Sequence, residues 1–125
     1  MLVPCEVATK TVVPAIRAFM AQTLTEKRDM SQKDAARVLG VSQSAISKYG
    51  NKVRGMTIPV ETMPQMQALT DQMITLLMAD PVQQMAVMQL FCQACTLIRA
   101  QGLMCPLCLQ NQSPKIDGCD FCMRP

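Results

Sequence analysis

Six of the seven cysteines fall near the end of the chain in three pairs, each with two residues between its partners. The pairs are Cys92 and Cys95, Cys105 and Cys108, and Cys119 and Cys122. Partners at this spacing can bind one metal ion, and three pairs within 31 residues are typical of a soft-metal site. The pattern therefore predicts metal ligation by these six residues.

The number and type of these ligands limit the kind of site. Two independent sites of four thiolates would need eight cysteines, and the chain has seven and no histidine. The lack of histidine excludes a Rieske centre and a zinc site of two cysteines and two histidines. Two possibilities remain: one four-cysteine site for zinc or an iron–sulfur cluster with two spare thiols, or a site shared across a dimer. Cys92 and Cys95 would also pack well on a helix, and Cys5 is either structural or an extra ligand.

A second group of residues has the chemistry needed to bind DNA. Gln43, Ser44, Ser47 and Lys48 share one face of a short predicted helix, and Ser42 precedes it. Such short polar side chains fit the major groove, which is about 12 Å wide, and a glutamine there can pair with N6 and N7 of adenine. We expect the serines to contact bases or phosphates.

Basic residues surround that face. The segment 27–54 contains seven basic and two acidic residues, a local charge of +5, whereas the whole chain carries +3. We predict that Lys48, Lys52 and Arg54 neutralise phosphates of double-stranded DNA, which supplies affinity, while base contacts supply specificity. A solvated basic surface without a partner is the alternative.

Two short helices and a glycine turn must position these side chains. Ser31, with Asp34 three residues later, predicts the start of one helix, and Gly40 predicts its end in a turn with positive φ. Ser42 then caps a helix over about residues 43–50, which completes a helix-turn-helix arrangement. The apolar residues expected to lie at the helix crossing or in the core are Ala36, Val38, Leu39, Val41, Ile46 and Tyr49.

A helix is also predicted before this unit, and a linker after it. Pro14 begins a stripe of apolar residues at helical spacing that ends near Arg28. Residues 5–13 are either an additional helical turn or an extended lead-in. Residues 56–64 are expected to form a linker.

Two helices and a cysteine-rich tail follow. The first helix is expected over about 64–79. Asp80 is expected to cap the second helix, with Pro81 at its first position, and Gly102 to end it after Ala100. The tail is too short and too polar to fold without a metal.

Methionine and leucine stripes run along these two helices. Core packing is the simpler interpretation. The helix-turn-helix unit can bury a small core by itself, however, so the two helices also suit a homodimer interface, as dimers bind paired half-sites. The stripe residues are Met66, Leu69, Met73, Leu76 and Leu77 on the first helix, and Val82, Met85, either Met88 or Leu90, and Phe91 on the second.

The sequence therefore predicts an all-α protein: an N-terminal helix-turn-helix bundle, two further helices and a short cysteine-rich metal-binding tail. We divide it into a DNA-binding domain at 1–57 and a dimerisation and metal-binding segment at 58–125.

The stretch "SQKDAARVLGVSQSAISKY" resembles the helix-turn-helix of the Cro and lambda-repressor-like superfamily. With the residues before it, from "PCEVATK" onward, the chain resembles predicted archaeal transcriptional regulators of the XRE type that carry a C-terminal cysteine-rich segment. The resemblance implies that Ser42, Gln43, Ser44, Ser47 and Lys48 lie at the DNA-reading positions. Together with the spare thiols it favours an iron–sulfur cluster, with zinc as the alternative.

Other classes of function are less well supported. The chain has no phosphate-binding glycine loop and no paired carboxylates in a plausible site, so we predict neither an enzyme nor a small-molecule substrate. A thiol-redox enzyme using a C-x-x-C pair lacks the expected βαβ pattern. A metal-stapled adaptor that binds proteins is the remaining rival. Glutamines interrupt the apolar segments, so we expect no membrane span and a cytoplasmic protein.

Overall fold

The computed structural model describes residues 3–51, 58–110, 119 and 121–123, with the side chains of residues 49–51 and 123 excepted. Within these ranges the chain forms helices and no strand, which confirms the predicted all-α class. The helices are α1 (Pro4–Lys10), α2 (Val12–Gln22), α3 (Gln32–Leu39), α4 (Gln43–Asn51), α5 (Pro64–Leu77), α6 (Gln84–Ala100) and α7 (Cys105–Gln110).

The N-terminal segment is helical. Residues 5–13 are not an extended lead-in, since most of them are helical: α1 ends at Lys10, and the helix is interrupted at Thr11. There the buried Thr11 hydroxyl donates a hydrogen bond of 2.8 Å to the Val7 carbonyl. The next helix, α2, begins at Val12, two residues before the predicted Pro14, and continues as a π-helical turn over Thr23–Lys27.

One apolar core joins the N-terminal and C-terminal parts of the chain. Ile16 of α2 and Ile46 of α4 belong to the same buried cluster as Met66 and Met73 of α5 and Ile98 of α6. The helix-turn-helix unit is therefore not packed on a core of its own. The domain boundary predicted at residue 57 lies in the range that the structure does not describe, and it stays a prediction.

The predicted linker is wrong for its second half. Ile58 and Val60 are each only 3% exposed, and Met63 is also buried. Val60 begins a short 3₁₀ turn, Val60–Thr62, which packs against α2 and α5. Burial of these apolar side chains is favourable, while Pro59, Glu61 and Thr62 stay exposed to water.

The start of α6 also differs from the prediction. Asp80 and Pro81 lie in the turn after α5, and α6 begins only at Gln84, with Gln83 preceding it. The Gln83 amide donates to the Leu76 carbonyl at 3.2 Å, which closes the turn and delays the new helix. The predicted cap at Asp80 is therefore wrong, whereas the predicted core stripe on α5 is confirmed by buried Met66, Leu69 and Met73.

The chain ends pack together at one side. Helix α6 ends at Ala100, and Gly102 follows with φ +76°, as its predicted role as a helix stop requires. Helix α7 contacts α1, and α6 contacts a 3₁₀ turn at Phe121–Met123. Among the described residues, no helix is both long and apolar enough to cross a membrane.

Candidate nucleic-acid interface and thiol cluster

The turn between α3 and α4 has the predicted geometry. Ser31 caps α3, because its hydroxyl accepts a hydrogen bond of 3.1 Å from the Asp34 amide. Gly40 ends the helix in the left-handed region with φ +69° and ψ +31°. The Val41 amide then donates to the Ala36 carbonyl at 3.0 Å and the Gly40 amide to the Arg37 carbonyl at 3.3 Å, so the reversal satisfies carbonyls of the last helical turn.

Ser42 caps α4 in the same way. Its hydroxyl accepts from the Ala45 amide at 3.1 Å, and its carbonyl accepts from the amides of Ala45 and Ile46. The two serine caps therefore fix the N-terminal ends of α3 and α4. Each such cap contributes about 1 kcal/mol to helix stability.

The polar side of α4 faces solvent, and we call it the recognition face. Its members are all exposed, and they are Ser42, Gln43, Ser44, Ser47 and Lys48. On the opposite side Ile46 is buried in the core, and α4 contacts both α2 and α3. The helix is thus held on one side and leaves short polar groups free on the other.

The apolar residues expected behind the turn are arranged largely as predicted. Ala36 and Ile46 are buried, and Val38, Leu39 and Val41 are partly buried against the same core. The side chain of Tyr49 lies outside the described residues.

Not every basic residue of the 27–54 segment points towards the recognition face. Lys27 donates a hydrogen bond to the Gln67 side chain, and Arg28 pairs with Asp71 at 3.7 Å, both on α5. Lys27 and Arg28 therefore interact with α5 within the folded chain. The local charge of +5 therefore overstates the charge available to DNA.

Other basic residues are better placed for a polyanion. Arg37 is exposed but paired with Asp34 on its own helix. Lys33 and Lys48 are exposed and have no ion-pair partner among the residues that the structure describes. Lys52 and Arg54, predicted to contact phosphates, lie outside the described residues. Lys33 is a phosphate-contact candidate that the sequence pattern did not single out.

The seven cysteines gather at the side where the chain ends meet, and we call them the thiol cluster. All seven are described, and none forms a disulfide. Helix α1 carries Cys5, α6 carries Cys92 and Cys95, and the remaining four lie on α7 or near the final 3₁₀ turn. Cys5 therefore joins the six cysteines for which metal binding was predicted, although it is far from them in sequence.

Arg99 lies within this cluster. Its Nε donates to Cys122 Sγ at 3.4 Å, and its Nη1 lies 4.0 Å from Cys5 Sγ. The same guanidinium also hydrogen-bonds Cys95, one helical turn earlier on α6. Three thiols from three elements thus share one cation.

Burial raises the pKa of two thiols in this cluster, Cys95 and Cys105. Desolvation raises the pKa of Cys95, and the hydrogen bond from Arg99 opposes this rise. The pKa of Cys105 is raised mainly by desolvation as well, with Cys122, Cys119 and Cys108 adding to the effect. Burial accordingly favours the neutral forms of Cys95 and Cys105.

The thiols of this cluster are the type of donor that a soft metal prefers. Among the residues that the structure describes, no three cysteine or acidic side chains are placed to hold one ion. Arg99 occupies hydrogen-bonding positions on three of the sulfurs instead. Metal ligation by Cys92, Cys95, Cys105, Cys108, Cys119 and Cys122 stays a prediction.

Arg99 is the residue of this site that the sequence analysis missed. A signal for it existed, since Arg99 follows Cys92 by seven residues and Cys95 by four, which places all three on one helical face. No local signal predicted the position of Cys5, because its contact with α6 joins residues 94 apart in the chain.

Residues 22–58 match the family model described as helix-turn-helix, and the match is of the XRE type. The matched range contains α3, the Gly40 turn and the recognition face. It confirms the predicted helix-turn-helix and supports a DNA-binding regulator; the family is a DNA-binding, non-enzymatic one. No curated protein matches the chain, and no solved structure matches it. The archaeal origin and the cysteine-rich part of the resemblance stay predictions.

Proposed function

We propose that this protein is a sequence-specific transcriptional regulator that contacts operator bases through the recognition face. One observation carries the proposal: α4 exposes its short polar side chains together, while Ile46 anchors the opposite side in the core. An α-helix presented in this way fits the major groove. Gln43 would pair with adenine, and Lys48 would neutralise phosphate.

Two substitutions separate base recognition from phosphate contact. Gln43→Ala should weaken operator binding by about 1–3 kcal/mol and relax the preference at one base pair. Lys48→Ala should weaken binding to every sequence and lower the salt slope by about one unit. Both are measured by titrating operator and random duplexes over a range of salt concentrations.

Matched controls come from outside the interface. Gln65 on α5 and Lys10 on α1 are exposed. Gln65→Ala and Lys10→Ala therefore remove a side-chain amide and a positive charge at positions away from α4. Both controls should bind like the parent. If Gln43→Ala and Lys48→Ala also bind like the parent, α4 does not contact DNA.

A homodimer is the second part of the proposal. The exposed apolar residues concentrate at the turn between α5 and α6 and on the start of α6, and they are Met78, Val82, Met85 and Met88. A second copy that covers this surface would place two recognition helices on paired half-sites. Met66, Leu69 and Met73 of the α5 stripe are no part of that interface, since they are buried in the chain's own core.

Sedimentation tests the dimer. Met85 is 76% exposed, so Met85→Glu leaves the core intact and should give monomers that bind operator DNA more weakly. Gln65→Glu, at an exposed position near the start of α5, adds the same charge away from this surface and should leave the dimer intact. A monomeric parent protein would contradict the dimer without affecting DNA contact by α4.

Regulation through the thiol cluster is the third part. The support is the soft donor set and its assembly at one side of the fold. We propose an iron–sulfur cluster, with structural zinc as the alternative; the first would supply redox sensitivity and the second a fixed crosslink. The cysteines concerned are the three C-x-x-C pairs.

Anaerobic purification distinguishes the metals. An iron–sulfur protein should be brown, lose its visible absorption in air and change its DNA affinity at the same time. Replacing Cys105 and Cys119 by serine should abolish the colour while α2 to α4 stay helical. A colourless protein holding zinc, with DNA affinity indifferent to air, would eliminate the redox sensor and leave the DNA-binding proposal standing.

A further inference from the structure

Four elements from opposite ends of the chain meet at the thiol cluster. Helix α1, which carries Cys5, contacts α7, which carries Cys105 and Cys108. Helix α6, which carries Cys92 and Cys95, contacts the 3₁₀ turn that carries Cys122. The N-terminal helix is thus part of the surroundings of the tail cysteines.

Arg99 connects Cys5 to the tail directly. The Nη1 of its guanidinium lies 4.0 Å from Cys5 Sγ, and its Nε lies 3.4 Å from Cys122 Sγ. Both sulfurs therefore approach the same small planar group. Cys5 itself is exposed on α1, so it can rotate towards a ligand without disturbing the core.

We propose that Cys5 is a ligand of the soft-metal site, which is therefore formed by both ends of the chain. Arg99 holds Cys5 and Cys122 together while metal is absent, and a thiophilic divalent ion takes over the sulfurs as it binds. The site then spans α1, α6 and the tail, whereas the three C-x-x-C pairs alone would confine it to the last third of the chain.

This arrangement gives the metal a contact with the DNA-binding part. Helix α1 packs on α2, and α2 contacts α3 and α4. Metal binding that fixes α1 would stabilise the helices behind the recognition face. The inference rests on the proposed metal-dependent regulation and adds a route from the cluster to α4.

Metal protection of single thiols tests the proposal in the full-length, reduced, metal-free protein. Cd²⁺ serves as the probe, iodoacetamide as the reagent, and peptide mass spectrometry follows each cysteine. We expect Cd²⁺ to slow alkylation of Cys5 by about tenfold or more, together with the tail cysteines. A cysteine introduced at exposed Gln65, as Gln65→Cys, should react at the same rate with and without Cd²⁺.

A matched pair of variants on α1 gives a second measurement. Cys5→Ser should lower Cd²⁺ affinity by about tenfold or more, whereas Thr9→Ser, at an exposed position one turn further along α1, should bind like the parent. Cd²⁺ should also slow amide exchange in α1 of the parent and of Thr9→Ser, but not of Cys5→Ser.

The outcomes separate this inference from the function on which it rests. Unchanged Cys5 reactivity alongside protected tail cysteines would overturn the role of Cys5 and keep the metal site. Protection of no cysteine would overturn the metal site as well. Neither result bears on DNA contact by α4, which the operator titrations measure independently.

Discussion

The recognition face and the thiol cluster are built in opposite ways. The recognition face lies within one stretch of chain, where Ser31, Gly40 and Ser42 fix the helix ends by bonds between near neighbours. The thiol cluster is assembled from α1, α6, α7 and the final 3₁₀ turn, which are distant in sequence. The first needs only local chemistry to take shape, while the second needs the whole fold.

This difference explains what the sequence predicted. Caps, a glycine stop and one buried face are local signals, so α3, α4 and the exposed recognition face could be placed residue by residue. The paired cysteines revealed a donor set but not its arrangement. The placement of Cys5 and Arg99 depends on how α1 packs against α6, and no local pattern encodes that contact.

The same distinction accounts for the wrong predictions. Ile58 and Val60 look like linker residues because prolines and polar residues surround them, yet the core they join is formed by distant helices. Asp80 and Pro81 have the form of a helix start, but the turn closed by the Gln83 amide and the Leu76 carbonyl delays α6 to Gln84. Tertiary packing decided the structure in the first place, and a backbone hydrogen bond across the turn decided it in the second.

The largest expected effect tests whether the two regions share one folding unit. Met73 on α5 is fully buried in the common core, so Met73→Ala should cost about 2–5 kcal/mol of unfolding free energy. Urea unfolding measures this loss of free energy, and hydrogen exchange measures separately how far α4 is destabilised. Because the core is continuous, α4 should lose protection together with α6.

The control is an exposed position next to Met73 on the same helix. Gln72→Ala removes a side chain of similar length from the surface of α5 and should change the unfolding free energy by less than about 0.5 kcal/mol. If Met73→Ala speeds hydrogen exchange in α6 but leaves exchange in α4 unchanged, the two regions fold independently, as separate domains.

The next effect concerns the local turn. A Cβ added at Gly40 meets no atom within 4 Å, so any cost of substitution comes from its φ of +69° and not from a clash. Gly40→Val should lower the unfolding free energy by about 1–3 kcal/mol. Gly40→Asn should cost much less, because asparagine tolerates the left-handed region. Equal stabilities of the two variants would contradict a strain confined to the backbone.

A smaller effect of opposite sign is expected in the shared core. The Thr70 hydroxyl on α5 is buried and has no hydrogen-bond partner among the described residues. Thr70→Val keeps the shape and removes the unpaired group, so it should raise the unfolding free energy by about 1 kcal/mol. Thr75→Val on the same helix is the control, because the exposed Thr75 hydroxyl donates to the Asp71 carbonyl at 2.9 Å. Destabilisation by Thr70→Val would mean that this hydroxyl has a partner in the folded protein.

The smallest expected effect tests whether an ion pair also holds the helix-turn-helix unit to α5. Arg28 and Asp71 pair at 3.7 Å, but both side chains are substantially exposed, so water and salt weaken their attraction. Asp71→Asn keeps the shape and an acceptor for the Gln67 amide, and it should cost less than about 1 kcal/mol, falling further at high salt. The substitution also frees Arg28 and should modestly strengthen binding to random DNA at low salt. A salt-independent loss as large as that of Met73→Ala would show that this ion pair, and not the apolar core, holds α5 to the helix-turn-helix unit.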